Sequence, residues 1–567
     1  MPGGLLQLVG TGAQNELVNG NPSMTHFRAV YRRHTNFAME QIRLVFTASN
    51  LEFNTTTTKT LSCKVERIAN LLHDCYIVLT MPDVWSPLKY LGSTTPPAGY
   101  DPRSNSMGYE FQWIKNLGYN MIDHVDITMN GQLIQRMTGE WMKLYSYLTH
   151  DANKRDIIDQ MTGNVPEMYD PANAYDRQNQ YPNAIAVSTL PTAAPQTRIP
   201  EPSIRSRRLI IPLHFWFCEN PGVALPLTSL QNSEVYINVT FRALQDLYTV
   251  IDTDTASPTF GRRVKPTAYP MSLFLSPPTV TGAASNTTLT TWVPDFHLEA
   301  NYIYLTEVEM NQLARADQTF MIKTVKYVSK EGQFGGNTDV EIPMFNLVTR
   351  IIFSSIRSDR VLLNDWDNYT NWANPNRAPW SGINSDVDTS LYSSGQQQVS
   401  AIYPRDSIID GVLLFDGKER IQPKALPFFS LQQMYRYATG QITSLPGVYQ
   451  YSFSLDHDSY QPSGAANGSM FNRIILRVTL QTPLAQSVSG TTTQSTTVCV
   501  LTSTLFNQKP TVIPAAEISN YKPNEITTVV QTSSNIVFTF TYTVGVYVES
   551  VNFLRIVSGL GNLVFAS

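Results

Sequence analysis

The 567 residues carry 41 Lys and Arg against 45 Asp and Glu, a net charge of −4, and only 15% of them are charged. That balance does not suit a protein that coats nucleic acid by neutralising phosphates, and the length exceeds what one ordinary β-sandwich needs, leaving room for two or three cores. The 30 Gly and 35 Pro, set among many Thr, Ser and Asn, are turn and strand chemistry rather than that of a helical bundle.

The opening MPGGLLQLVGTGAQNELVNG has no basic start followed by an apolar run, so no secretory signal is expected. Its Gly10-x-Gly12 lacks the third glycine and the following helix of a dinucleotide fingerprint. Residues 1–25, rich in Gly and Asn, are expected to form an arm outside any core, ahead of a strand-like FRAVY run at 27–31. Arg32–Arg33, and later Arg205, Arg207 and Arg208, read as solvated or inter-subunit groups.

The first strong strand holds Val125, Ile127 and Met129 in alternation with Asp126 and Thr128. His124-x-Asp126 has the spacing of two ligands of a two-His, one-carboxylate iron site. Val125 and Ile127 should face the interior, however, which turns His124 and Asp126 outward. None of His150, His214, His297 or His457 sits in a recognisable ligand context. A polar solvent-side pair without catalytic metal is the expectation.

Asn130–Gly131 then supplies the two positive φ angles of a type I′ hairpin turn. A helical stretch (Gly139–Leu148), a long polar insertion (Asp151–Pro202), an aromatic strand (Leu209–Phe217), a loop (Asn220–Leu227) and an alternating strand (Glu234–Arg242) follow. The Pro- and Thr-rich segment 247–296 reads as a connector with loops.

The second half repeats the series. Asp416–Gly417 makes a hairpin, followed by a helical stretch (Ser430–Tyr437), an aromatic strand (Val448–Leu455), a loop (Gln461–Gly468) and a strand (Arg473–Leu480). Asp406 and Asp410 read as turn residues rather than a carboxylate pair for glycoside hydrolysis. Long polar stretches at Asp359–Ser400 and Leu484–Thr528 read as functional loops. Ile536–Val548 alternates with Thr and reads as a strand, not a membrane span.

The series implies two copies of one antiparallel β-sandwich, with an arm at 1–25, a first sandwich at 26–246, a connector at 247–296 and a second sandwich at 297–567. Cys63, Cys75, Cys218 and Cys499 are scattered, form no CxxC pair and suit a reducing compartment. No Gly-x-Ser-x-Gly elbow or HxH pair is present, and no catalytic residue, cofactor or metal is expected. Asn-x-Ser/Thr sequons at Asn54, Asn238 and Asn467 are expected to be chance matches, whereas Asn286 and Asn368 fall in predicted loops and could carry glycans.

GGLLQLVGTGAQNELVNGNP (Gly3–Pro22), FRAVYRRHTNFAME (Phe27–Glu40), DHVDITMNGQLIQRMTGEW (Asp123–Trp141), LIIPLHFWFCENPGVALPLTSLQNSEVYINVTF (Leu209–Phe241), YQYSFSLDHDSYQPSGAANGS (Tyr449–Ser469) and NFLRIVSGLGNLVFAS (Asn552–Ser567) resemble, in order, blocks of the major capsid proteins of nucleocytoplasmic large DNA viruses. The resemblance implies an all-β double jelly roll, two tandem antiparallel eight-stranded sandwiches with long loop insertions, acting as a structural shell subunit and not an enzyme. It further implies homotrimers forming pseudo-hexagonal capsomers, contacts with neighbouring capsomers, minor capsid proteins and an underlying internal membrane, and no direct nucleic-acid contact. The expected location is the virion, after assembly in the host cytoplasm. The alternatives are a capsid-like paralogue serving as a minor shell or scaffold component, and a carbohydrate-binding β-sandwich protein.

Overall fold

The computed structural model describes the chain outside residues 1–9, 87–108, 183–200, 253–262, 278–288, 377–403, 441–444, 488–497, 501–510, 514–535 and a few shorter stretches. In chain order the first half contributes β1 (Phe37–Val45), β2 (Lys59–Lys64), β3 (Leu71–Met81), β4 (Tyr109–Trp113), β5 (Ile122–Met129), β6 (Gln132–Thr138), β7 (Arg207–Pro212), β8 (Leu225–Pro226), β9 (Val235–Phe241), β10 (Tyr248–Asp252), β11 (Arg263–Val264) and β12 (His297–Leu305). The second half contributes β13 (Gln318–Gln333), β14 (Gly336–Glu341), β15 (Leu347–Arg357), β16 (Ile408–Phe415), β17 (Lys418–Ala425), β18 (Val448–Ser452), β19 (Ala466–Asn467) and β20 (Ile474–Leu480). It ends with β21 (Ala485–Ser487), β22 (Val498–Val500), β23 (Thr511–Ile513), β24 (Ile536–Phe538), β25 (Tyr542–Val557) and β26 (Leu560–Leu563).

Two four-strand ladders face each other in each half. In the first half they run β1-β12-β3-β7 and β2-β9-β5-β6; in the second, β13-β25-β15-β18 and β14-β20-β16-β17. Setting aside the additional short strands, each half pairs its first strand with its last, its last with its third and its third with its sixth. The companion ladder joins the second, seventh, fourth and fifth. That is jelly-roll order, executed twice. Each third strand also carries an extra residue where it meets the closing strand, at the shift between Ala300 and Tyr302 on β12 and between Val348 and Arg350 on β15. A shared bulge at an equivalent pairing is a duplicated feature.

Period-two burial explains the strands. On β9 Val235, Ile237 and Val239 are buried while Tyr236 and Asn238 are half-buried, so one face enters the core. Both hairpins form as expected: Asn130 and Gly131 adopt φ of 51° and 80°, and Asp416 and Gly417 adopt 49° and 76°. Each hairpin is followed by a helix, Gly139–Thr149 in the first half and a continuous helix reaching Tyr437 in the second, which includes a wide turn at Phe428–Gln432.

Several expectations are corrected. The second unit does not begin at 297, because β12 pairs with β1 and β3 and closes the first sandwich. The connector opens with β10, which pairs with β4 rather than looping. The aromatic strand from Leu209 ends at Pro212, with one further backbone bond from the Leu213 amide to the Cys75 carbonyl, and Trp216–Glu219 turn into a short helix. The insertion after 151 begins as two helices, Ala152–Thr162 and Pro166–Tyr169. FRAVY forms no strand; Phe27 is 100% exposed and β1 starts ten residues later. Asp410 lies inside β16, not in a turn.

Candidate functional site

The residues that distinguish this molecule lie where its halves meet. One apolar cluster spans both: Ile322, Ile352, Tyr547 and Leu554 from the second half pack with Trp141, Met142, Leu144 and Leu148 of the first-half helix. The second half keeps its own interior of Val348, Ile351, Phe353, Val544, Val546 and Val548. Alternation along β25 therefore sends Val546 and Val548 into its own sandwich, and Tyr547 and Glu549 outward onto the first.

Charged groups are sealed into this seam. Arg350, 0% exposed, donates to Glu549 through Nε at 2.8 Å and Nη2 at 2.7 Å, and Trp141 Nε1 donates to the same carboxylate at 2.9 Å. Burial would raise the Glu549 carboxyl, but the Arg350 charge and its hydrogen bonds hold it below the usual range. Glu140 accepts from Tyr369 Oη at 2.7 Å and Tyr547 Oη at 2.9 Å. Here too burial is outweighed, by Arg360, Lys143 and the two phenols.

Lys143 Nζ, fully buried, donates to Asp367 at 2.6 Å, and the amides of Asn116 and Asn120 donate to that carboxylate at 2.7 and 3.0 Å. Burial would raise Asp367, yet the Lys143 charge and these bonds lower it. Gln135 Nε2 donates to the Lys323 carbonyl at 2.8 Å. Such a network contributes little net stability against a well-packed apolar alternative, but it fixes one register and makes loss of either partner costly.

Beside it, His457 has neither ring nitrogen hydrogen-bonded, although Nε2 lies 3.5 Å from the Asp458 carboxylate. Burial lowers His457 to about 3 and raises Asp458 to about 6.

The residues singled out from sequence are placed elsewhere. His124 and Asp126 sit on β5 outside the core that Val125 and Ile127 enter. Asp126 is held by both Arg136 Nε and Nη2, at 2.7 and 2.6 Å, and His124 bonds to Asp123 and Thr240. Asp406 lies 3.5 Å from the Tyr449 hydroxyl, and nothing pairs it with Asp410. Arg208 is bonded to Glu299, Arg205 lies 3.6 Å from Glu201, and Arg207 reaches the Gln160 carbonyl. A seven-residue exposed helix, Ala13–Asn19, does follow Gly12, but no third glycine accompanies it.

Asn286 lies outside the described residues. Asn368 is 2% exposed, its amide donates to the Trp372 carbonyl, and its oxygen accepts from Thr370. The expected loop acceptor is therefore a buried structural asparagine. The seam residues were missed because Arg350 and Glu549 lie 199 positions apart and Lys143 and Asp367 lie 224 apart. The local signal was the charge of Glu549 directly after the apolar run Val544–Val548.

Two family profiles match the chain in succession: major capsid protein N-terminus over residues 25–306, and large eukaryotic DNA virus major capsid protein over 309–508. Their division falls just after β12, where strand pairing also divides the halves. The major capsid protein of Phaeocystis pouchetii virus is 26% identical over 551 residues, covering 86% of this chain and 95% of that protein. That of Paramecium bursaria Chlorella virus 1 is 24% identical over the full length of both. In structure the chain is similar to PBCV-1 VP54, with a TM-score of 0.59 and 18% identity, over 96% of this chain and 100% of that one.

Proposed function

The chain belongs to the major capsid protein family of large eukaryotic DNA viruses, and from that premise we propose that it is the repeating building block of an icosahedral shell. Three copies close into a pseudo-hexagonal capsomer, and capsomers tile side by side. The observation carrying this reading is the repeated strand order joined by a sealed seam. One chain thus presents two similar sandwiches as one rigid block, and three chains present six. Closed cyclic assembly of such blocks gives a unit that can pack on a lattice.

The role is structural and not enzymatic. The buried charges of the seam are consumed by one another and serve to fix geometry. The exposed segment 12–36, with Leu17, Val18, Phe27 and Tyr31 open to solvent, is an arm for neighbouring capsomers, minor capsid proteins or the inner side of the shell above a membrane. Nucleic acid is not a direct partner, in keeping with the net charge of −4. The protein acts in the virion after assembly in the host cytoplasm.

Sedimentation tests the assembly directly. The folded protein should run at three times the 63.6 kDa of the chain, and a stable monomer at micromolar concentration would refute the trimer. Removing residues 1–25 should leave trimers that tile poorly; normal tiling would refute the arm.

A further inference from the structure

The seam leaves each of its two surfaces with an unused counterpart. In the first sandwich the helix after β6 lies against the outer face of β13 and β25, and every residue from Trp141 to Leu148 is buried. In the second sandwich the equivalent helix follows β17, whose last paired residue, Ala425, faces Asp410 as Thr138 faces His124. Counting from those strand ends aligns Met142 with Phe429, and both are buried. The same count aligns Trp141 with Phe428.

The burial then diverges. Phe428 is only half-buried, while Leu431 is 66% and Tyr435 93% exposed one and two turns further on. With Lys424 and Pro427 they line an open groove of about 710 Å³. An apolar stripe at i, i+3 and i+7 is a helix face made for burial.

The receiving surface also has a free counterpart. β1 and β12 occupy in the first sandwich the positions of β13 and β25 in the second. Ile42 and Leu44 point inward from β1, so Phe37, Met39, Gln41, Arg43 and Val45 form its outer side. Phe37, Met39 and Val45 are about half exposed or more.

We propose that the Phe428–Leu431–Tyr435 helix face docks on the outer face of β1 and β12 of a second copy of this chain, repeating between molecules the seam that joins the two sandwiches within one. The occupant is a second copy because the first sandwich's helix already fills the equivalent face of the second sandwich. Each chain thus offers one free helix and one free receiving face. Such a head-to-tail contact must close into a ring or run on as a filament. The proposal rests on the trimer reading and adds which surfaces close it.

Leu431→Glu with Tyr435→Glu, and separately Met39→Glu, alter exposed side chains, so both variants should fold with an unchanged circular dichroism spectrum. Each should lower the trimer association constant roughly thirtyfold or more, because a charge at the centre of an apolar contact removes its anchor. Mixing the two variants should yield dimers, since each retains the surface the other lacks. Trimers of wild-type stability from the Leu431/Tyr435 variant would overturn the docking assignment while leaving the trimer intact. A wild-type protein that stays monomeric would instead refute the reading beneath it.

Discussion

At the residue scale the seam makes sharp demands. Glu549→Ala leaves Arg350 buried without its carboxylate, and the unfolding free energy should fall by about 3–5 kcal/mol, the usual cost of stranding one member of a buried pair. Replacing both with apolar residues should cost much less, and denaturant titration of the two variants separates the cases. Acid should act on the same region. His214 and His457 are lowered by burial to about 3 from an ordinary 6.5. Between those values the unfolded chain binds protons that these two side chains refuse in the fold, so their contribution to stability falls as pH drops below about 6.5. Asp458, raised by burial to about 6 from 3.8, and Glu110, raised by burial to about 8 from 4.5, work in the opposite direction over their own windows. The two directions offset each other, so the denaturation midpoint should change little from pH 6.5 to 5 in the native protein, whereas His214→Phe removes one proton-refusing group and should tilt that slope toward greater stability at the lower pH. Peptide mass spectrometry should find Asn368 without glycan, since its amide is inside the fold.

At the scale of elements, legibility followed the range of the interactions. The two hairpins were readable because Asn-Gly and Asp-Gly settle positive φ within two residues. Gly131→Ala tests that: nothing lies within 4 Å of the added methyl, so a loss of about 1 kcal/mol would be conformational alone. At Gly447, with φ of +90°, the added Cβ would sit 2.3 Å from the Tyr369 carbonyl oxygen, and the loss should be several times larger. The FRAVY run misled because its β-branched and aromatic residues signal a half-buried surface, and among the described residues nothing covers them. Helices in the 151–202 insertion were hidden behind a polar composition, although Asp151 caps the first by accepting from the Lys154 amide. β12 was misassigned because strand pattern says nothing about which sheet a strand joins.

At the scale of the whole molecule, the duplicated architecture was legible as a repeated series, whereas the seam and the free helix face depend on contacts across hundreds of residues. The position of β12 carries a consequence for synthesis. It is a central strand, bonded to β1 on one side and β3 on the other, yet it emerges more than 250 residues after β1 begins. At ordinary translation rates the ribosome needs roughly 15–60 s to reach Leu305, and until then the inner edges of β1 and β3 have no partner. Nascent chains halted before His297 should bind chaperones and aggregate, whereas chains halted well beyond Leu305 should resist protease across the first sandwich. A protein needed in great numbers for one shell would thus spend much of its time on the ribosome as an unclosed sheet. Its yield would be set as much by protection of those edges as by the stability of the finished block.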